Sequence, residues 1–294
     1  MGILQGVTEL FPVSSLGHSV ILPQLLGWTD IVAAQSAKES YFLAFLVGLH
    51  VATALALLVF YRATWAGIIR GLIVSLRTRR IETTDQRIGW LLVIATIPAG
   101  LAGLVLEHTL RVVFATPLAA AAFLVVNGLI LLGGEALRRR PAARRQTATA
   151  GRRSGWAGNA PTSTGDGRAI ERLTVREVFA IGCTQALALL PGISRSGVTM
   201  VAGLTRGLDH EDAARFSFLL ATPIIFAAGV YKLPDLLGPN GDGVRLQILI
   251  GSLAAGISAY LAVRFLTRWF RLRTLTPFAI YCLIVGVVAI ARFH

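Results

Sequence analysis

The sequence predicts an all-α integral membrane protein, with six transmembrane helices and two re-entrant helix pairs arranged as an inverted-topology repeat. Three observations carry that prediction. Of the 294 residues, 54% are hydrophobic and only 15% charged, with a mean hydropathy of +0.67, whereas a soluble domain carries roughly a quarter charged residues. The charges are segregated, which leaves apolar runs long enough to cross a bilayer. Two of the apolar stretches are interrupted by proline, glycine and hydroxyl residues, as "FPVSSLGH" from Phe11 and "LLPGISRSGVT" from Leu189.

The uninterrupted spans are expected at residues 41–61, 89–106, 116–137, 212–231, 246–266 and 276–293. The interrupted stretches cover residues 1–28 and 175–207. Each of their halves is about ten residues, or about 15 Å of helix, which reaches only the middle of a bilayer. Two pairs that dip in and return are the natural reading. Residues 1–11 lack a basic lead and a small-residue cleavage site, so no cleavable signal peptide is expected.

Loop charges orient the spans. Arg62, Arg70, Arg77, Arg79, Arg80 and Arg87 follow the first span, "RRRPAARR" from Arg138 follows the third, and Arg268, Arg271 and Arg273 follow the fifth. The positive-inside rule makes these loops cytoplasmic, and the loops around "EHTLR" and "KLPDLLGPNGDG" face outward. The net charge of +13 is therefore a topology signal, and nucleic acid is not an expected partner. "WAGIIRGLIVSLRTRR" from Trp65 reads as an amphipathic helix on the cytoplasmic surface. Trp28, Trp65, Trp90 and Trp269 fall near span ends, as interfacial anchors do.

With that orientation the first re-entrant pair enters from outside and the second from the cytoplasm. The halves also share local text: "TPLAAAAFLVVNG" at Thr116 matches "TPFAIYCLIVG" at Thr276, and Pro12–Ser15 repeats the spacing of Pro191–Ser194. Residues 1–137 form the first repeat and 175–294 the second, inverted one. Residues 138–174, rich in arginine and small residues, form a flexible basic cytoplasmic linker. Sites in such folds lie near the midplane, where broken helices meet.

Polar residues at a midplane break are costly and imply function. The first break supplies Gln5, Glu9, Ser14, Ser15, Gly17 and His18, and the second Gln185, Gly192, Ser194, Arg195, Ser196 and Thr199. The set suits a phosphate ester. Arg195 can grip phosphoryl oxygens, and "GISRSG" before a half-helix offers backbone N–H groups to an anion. Ser15 or His18 can attack phosphorus, and Glu9 can bind a divalent cation or move a proton. Ser14 and Ser196 are equally readable as helix caps, Thr199 as bonded to its own helix, and Glu9 as a partner of Arg195. His50, inside a span, is left open between a packed polar residue and a site residue. Glu107, His108, Asp209, His210 and Glu211 are expected to be solvated. Cys183 and Cys282 lie in apolar segments with neither disulfide nor zinc spacing.

At these residues "QGVTELFPVSSLGH" resembles the (E/Q)GxxE…PVSSxGH signature of the bacterial undecaprenyl-diphosphate phosphatases, the bacitracin-resistance family. "PGISRSGVT" is similar to that family's PGxSRSxxT signature. "LHVATALALLVFYR" and "FSFLLATP" are also similar to family text, so the resemblance covers nearly the whole chain. It implies hydrolysis of undecaprenyl (polyprenyl) diphosphate to the monophosphate and inorganic phosphate. That reaction recycles the lipid carrier for peptidoglycan synthesis and confers bacitracin resistance. By motif position it implies Glu9, Ser15, His18 and Arg195 as catalytic. Gln5, Ser14, Gly17, Gly192, Ser194, Ser196 and Thr199 would then bind substrate phosphate. Gln5 stands where many members carry glutamate. The resemblance further implies a divalent cation, Mg2+ or Ca2+, with Glu9 as its ligand. It places the chain in the bacterial cytoplasmic membrane with the site toward the outer face.

Expected partners are the polyprenyl diphosphate and membrane lipids, with a homodimer left open. The competing class is a polyprenyl-phosphate transporter or flippase, because inverted repeats with broken helices also build transporters; flipping could also accompany hydrolysis. The acid-phosphatase-like lipid phosphatases are excluded. Their PSGH motif superficially resembles "SSLGH", but the only lysines, Lys38 and Lys232, sit in no lysine–arginine–proline motif.

Overall fold

The computed structural model describes residues 1–28, 41–114, 116–150, 168–231 and 245–294, and the side chains of 41–44, 107–114 and 139–150 lie outside that description. The described residues form eleven α-helices and no strand. In chain order they are α1 (Gly2–Thr8), α2 (Ser15–Leu25), α3 (Tyr41–Phe60), α4 (Arg62–Thr78), α5 (Thr84–Phe114) and α6 (Pro117–Ala150). The rest are α7 (Val175–Thr184), α8 (Arg195–Thr205), α9 (His210–Tyr231), α10 (Arg245–Leu272) and α11 (Thr276–Phe293). Among the described residues five helices, within α5, α6, α9, α10 and α11, are long and apolar enough to cross a membrane. There are six if α3 and α4, bent by 88° at their junction, count as one span.

The bent pair follows from its side chains. α3 is apolar nearly throughout, whereas α4 buries Ile68, Gly71 and Ser75 on one face and carries Arg62, Arg70 and Arg77 elsewhere. A helix so divided cannot continue along an apolar span and turns aside. The last turn of α4 ends on Arg79 in the left-handed conformation.

α5 begins earlier than the apolar run suggests, because a reciprocal cap starts it. The Gln86 amide N–H donates to Thr83 Oγ1 (3.3 Å) while Gln86 Oε1 accepts from the Thr83 N–H (3.1 Å). α5 also runs on through residues 107–111, expected as a loop, and α6 continues past residue 137 to Ala150. The segment 232–243, also expected as an outward loop, lies outside the described residues, as do Lys38 and residues 151–167 of the expected linker.

Of the segment expected to be a flexible linker, residues 168–174 are instead anchored. Ile170 and Leu173 are buried, the Arg168 N–H donates to Gly207 O (2.8 Å), and Arg87 Nη2 donates to Leu173 O (3.2 Å). The two apolar side chains in an otherwise polar stretch make this stop. His210, expected to be solvated, is also buried: its Nε2 sits 2.6 Å from Glu135 Oε1, which also accepts from the Leu275 N–H (2.7 Å). Asp209 starts α9 by accepting the Asp212 N–H (2.7 Å), and Glu211 pairs with exposed Arg271 at 3.1 Å.

The most extensive helix pairings are α6 with α11 and α3 with α10. Small fully buried residues such as Ala120, Ala121 and Ala279 let the first pair approach closely. Large apolar side chains including Leu104, Val105, Ile257, Ile284 and Val288 point outward, as lipid-facing surfaces require. Of the interrupted stretches, α1 packs on α10 and α2 on α6, while α7 packs on α5 and α8 on α6 and α9. α2 and α8 each have eleven residues and each starts on a serine whose Oγ accepts the amide N–H three residues on, Ser14 from Gly17 and Ser194 from Gly197, both at 3.2 Å.

Candidate active site

Both breaks are dictated by local sequence. In the first, Pro12 occupies the centre of a tight three-residue turn closed by Val13 N–H to Phe11 O (2.7 Å). In the second, Ile193 N–H bonds Leu190 O (3.1 Å) around Pro191 and Gly192, and Gly192 has φ of 106°. Proline then glycine at those two places is the preference of a type II turn. Each proline lies in the break beyond the end of one helix, and each serine that follows caps the next.

The breaks then meet. Ser14 Oγ accepts the Gly192 N–H (3.2 Å) as well as that of Gly17. A Cβ on Gly17 would lie 2.8 Å from Gly192 Cα, so the contact leaves no room for a side chain on Gly17. Asn127 of α6, fully buried, clamps both breaks: its Nδ2 donates to Pro12 O (2.9 Å) and its Oδ1 accepts the Ser194 N–H (3.0 Å). Ser196 Oγ donates to Phe11 O (3.2 Å) and lies 3.0 Å from Ser194 Oγ. This dense bonding holds Ser14, a non-glycine residue with φ of 68° and ψ of 101°. Such backbone costs on the order of 1–3 kcal/mol and persists only where its surroundings enforce it.

Glu9 is the centre of the arrangement. Its Oε1 accepts Arg195 Nη2 at 2.6 Å, and its Oε2 accepts Ser15 Oγ at 2.5 Å and Gln5 Nε2 at 3.1 Å. His50 Nε2 stands 3.6 Å from the same Oε2, with its Nδ1 held 2.8 Å from Leu46 O. One carboxylate thus joins a hydroxyl from the first break to a guanidinium from the second. Among the described residues Arg195 is engaged through Nη2 alone, which leaves donors for a ligand. Glu9, Ser14, Ser15, His50, Gln185, Ser194 and Arg195 line a cavity of about 310 Å³. Its remaining walls are mostly apolar, among them Leu16, Val20, Leu46, Leu189, Ile224 and Ala228.

The other residues of the two motifs lie behind this surface. Thr199 Oγ1 donates to Arg195 O (2.7 Å), the bond to its own helix. Ser196, Gly17 and Gly192 are packed in the contact between breaks. His18 is not among the cavity-lining residues. Its Nδ1 lies 2.7 Å from Ser14 O and its Nε2 2.8 Å from the hydroxyl of Tyr281, on α11. Sequence reasoning did not single out Asn127 or Tyr281. A lone asparagine in an apolar span is the one signal that could have found the first; Tyr281 carried none, since a tyrosine in a span reads as packing.

Chemically, the cluster offers a carboxylate already placed to take a hydroxyl proton, beside a cation and a helix N-terminus that hold an anion. The donor set for a divalent cation is narrow. Among the described residues no three His, Cys, Asp or Glu side chains converge as a metal cage, and Glu9 is the one carboxylate at the breaks. That fits a cation held by one carboxylate and the oxygens of a bound diphosphate, as Mg2+ often is.

Comparison with known proteins finds relatives over nearly the whole chain. "Undecaprenyl-diphosphatase 2" of Frankia alni is 54% identical over 329 residues, covering 100% of this chain and 96% of its own. "Undecaprenyl-diphosphatase" of Mycolicibacterium paratuberculosis is 56% identical, covering 97% and 93%. "Undecaprenyl-diphosphatase 2" of Chromobacterium violaceum is 41% identical, covering 98% and 95%. The family model described as "Bacitracin resistance protein BacA" matches residues 1–288, and the chain belongs to that family.

Proposed function

We infer that this chain is a multi-pass membrane phosphatase that hydrolyses undecaprenyl diphosphate, releasing inorganic phosphate and the lipid monophosphate used as a carrier in cell-wall synthesis. Family membership and the relatives' activity support that reading, and one observation carries its mechanism. Glu9 binds Ser15 through one oxygen and Arg195 through the other. The distal phosphate of the substrate displaces part of the Glu9–Arg195 contact and is gripped by the guanidinium and the N-terminus of α8. Glu9 takes the Ser15 proton as Ser15 Oγ attacks the distal phosphorus. The bond to the bridging oxygen breaks, and the lipid monophosphate leaves. Water then cleaves the phosphoserine, and Glu9 returns the proton to Ser15. Arg195 holds the charge that builds on the phosphoryl oxygens. A divalent cation, if held by Glu9 together with the diphosphate, would neutralise charge on the leaving group.

The apolar walls suit a prenyl chain. A cavity of about 310 Å³ is at the small end for a ligand pocket, so it takes the diphosphate and the first isoprenoid units while the tail remains in lipid. Its orientation follows from charge. The His210 end of α9 lies beside Arg271, in the basic last turn of α10 that the positive-inside rule makes cytoplasmic. The cavity is lined by the other end, Ile224 to Tyr231, which supports a site toward the outer face of the bacterial cytoplasmic membrane. The matching serine caps, proline turns and Thr-Pro starts of α6 and α11 support two inverted repeats, each with a re-entrant pair.

Phosphate release from farnesyl or undecaprenyl diphosphate by the purified protein in detergent tests the activity, because vectorial transport is impossible there. Wild type is expected to release phosphate and to yield a trapped phosphoserine at Ser15 on rapid quenching. Ser15→Ala is expected to lose turnover by about 10³-fold or more. A Ser15→Ala protein that hydrolyses at the normal rate overturns Ser15 as nucleophile, and a fully inactive wild type leaves a lipid carrier without hydrolysis.

A further inference from the structure

The turn that presents Ser15 is also held by His18, which does not line the cavity. Ser14 O accepts the backbone N–H of His18 (3.2 Å) and also faces His18 Nδ1 at 2.7 Å. A carbonyl oxygen only accepts, so Nδ1 carries the proton. In the neutral ring Nε2 is then an acceptor, and the hydroxyl of Tyr281, 2.8 Å away, is its donor. The two rings also stack, with centroids 5.7 Å apart and planes 10° from parallel. One tyrosine thus fixes both the tautomer and the plane of the imidazole.

We propose that Tyr281 is a positioning residue for hydrolysis: its hydroxyl locks His18, and His18 holds the Ser14 carbonyl and so the strained turn that aims Ser15 at Glu9. The proposal rests on Ser15 as the attacking group. The physical need for the brace is specific. Ser14 stands at φ 68° and ψ 101°, outside the regions a side chain prefers, and the next residue makes the 2.5 Å contact to Glu9. Its side-chain oxygen is already engaged by Gly17 and Gly192, so the carbonyl is the remaining handle. Without the tyrosine donor, His18 can exchange tautomers or turn about its ring axis, and the carbonyl loses its strongest partner. A displacement of the order of 1 Å at a reacting group is enough to cost a large factor in rate. In this arrangement both ring nitrogens are committed, and the imidazole acts through Ser14 instead of on the substrate.

The test is a double-mutant cycle on the purified full-length protein with farnesyl diphosphate. Tyr281→Phe keeps the ring and removes the hydroxyl. It is expected to lower kcat about five- to tenfold with KM within about twofold, as loss of one hydrogen bond at a positioning site does. In a His18→Ala background, or His18→Gln should that protein not fold, the same change is expected to add nothing. Nitrogen-15 spectra of the histidines should show His18 as the Nδ1–H tautomer in wild type and a mixture in Tyr281→Phe. An unchanged kcat in Tyr281→Phe, an equal loss with and without His18, or an unaltered His18 signal overturns the proposal. An active Ser15→Ala protein overturns the nucleophile assignment instead, and the Tyr281–His18 coupling is read from the cycle whichever group attacks.

Discussion

Glu9 and Arg195 are 186 residues apart in sequence, yet each satisfies the other's charge at 2.6 Å, and both side chains are largely shielded from solvent. Removing one member leaves the other as an uncompensated buried charge, which costs about 3–5 kcal/mol. Arg195→Ala is therefore expected to lose phosphate release by about 10²-fold or more, and its unfolding midpoint in detergent should fall as well. A purified Arg195→Ala protein that retains a tenth of normal turnover would rule out the clamp. The motif text made Glu9, Ser15 and Arg195 legible, because a carboxylate, a hydroxyl and a guanidinium at two broken helices have few other uses. Asn127 and Tyr281 were not legible. Their partners Pro12 and His18 lie 115 and 263 residues away in the chain; a lone amide in an apolar span shows that Asn127 needs a partner but not which one, and nothing local marks Tyr281.

At the scale of the element, helix ends do most of the positioning. α7 starts on a capping box in which Thr174 and Glu177 bond reciprocally, and Arg168 Nη1 donates to Glu177 Oε1 at 2.6 Å. Arg168, then the Thr174 N–H, pull the Glu177 carboxyl down from the usual 4.5 to about 2. A carboxyl lowered on folding stabilises the folded state above its unfolded pKa, and that contribution is lost as pH falls through the folded value. The start of α7 is thus expected to keep its stability down to about pH 4.5 and to lose it toward about pH 2. Hydrogen exchange at α7 amides should show that loss in wild type, while Glu177→Gln should be weaker at neutral pH and flat over the same window. The spans themselves were readable from apolar length. Their ends were not, since α5 gains its first turn from a polar cap at Thr83 that hydropathy scores as loop.

For the whole molecule, orientation and access are the open physical variables. With Cys183 and Cys282 replaced by serine, a single cysteine at Ala228, on the cavity wall, is expected to react with a membrane-impermeant maleimide added outside intact cells. Excess prenyl diphosphate should protect it. A single cysteine at Thr205, at the far end of α8, should react only after the cells are opened. Reversal of those two patterns places the cavity on the cytoplasmic side.

From its residues alone the chain settles that it is helical, that it lives in a membrane, and where its two interrupted apolar stretches lie. Composition, charge segregation and motif spacing are local properties that no packing can alter. Only the tertiary structure decides that Glu9 is the shared partner of Ser15 and Arg195, that His50 faces the cavity, and that His18 turns away to Tyr281. Those outcomes depend on which side of a half-helix faces its neighbour. That is set by close backbone contacts such as Gly17 on Gly192, made between segments far apart in the chain.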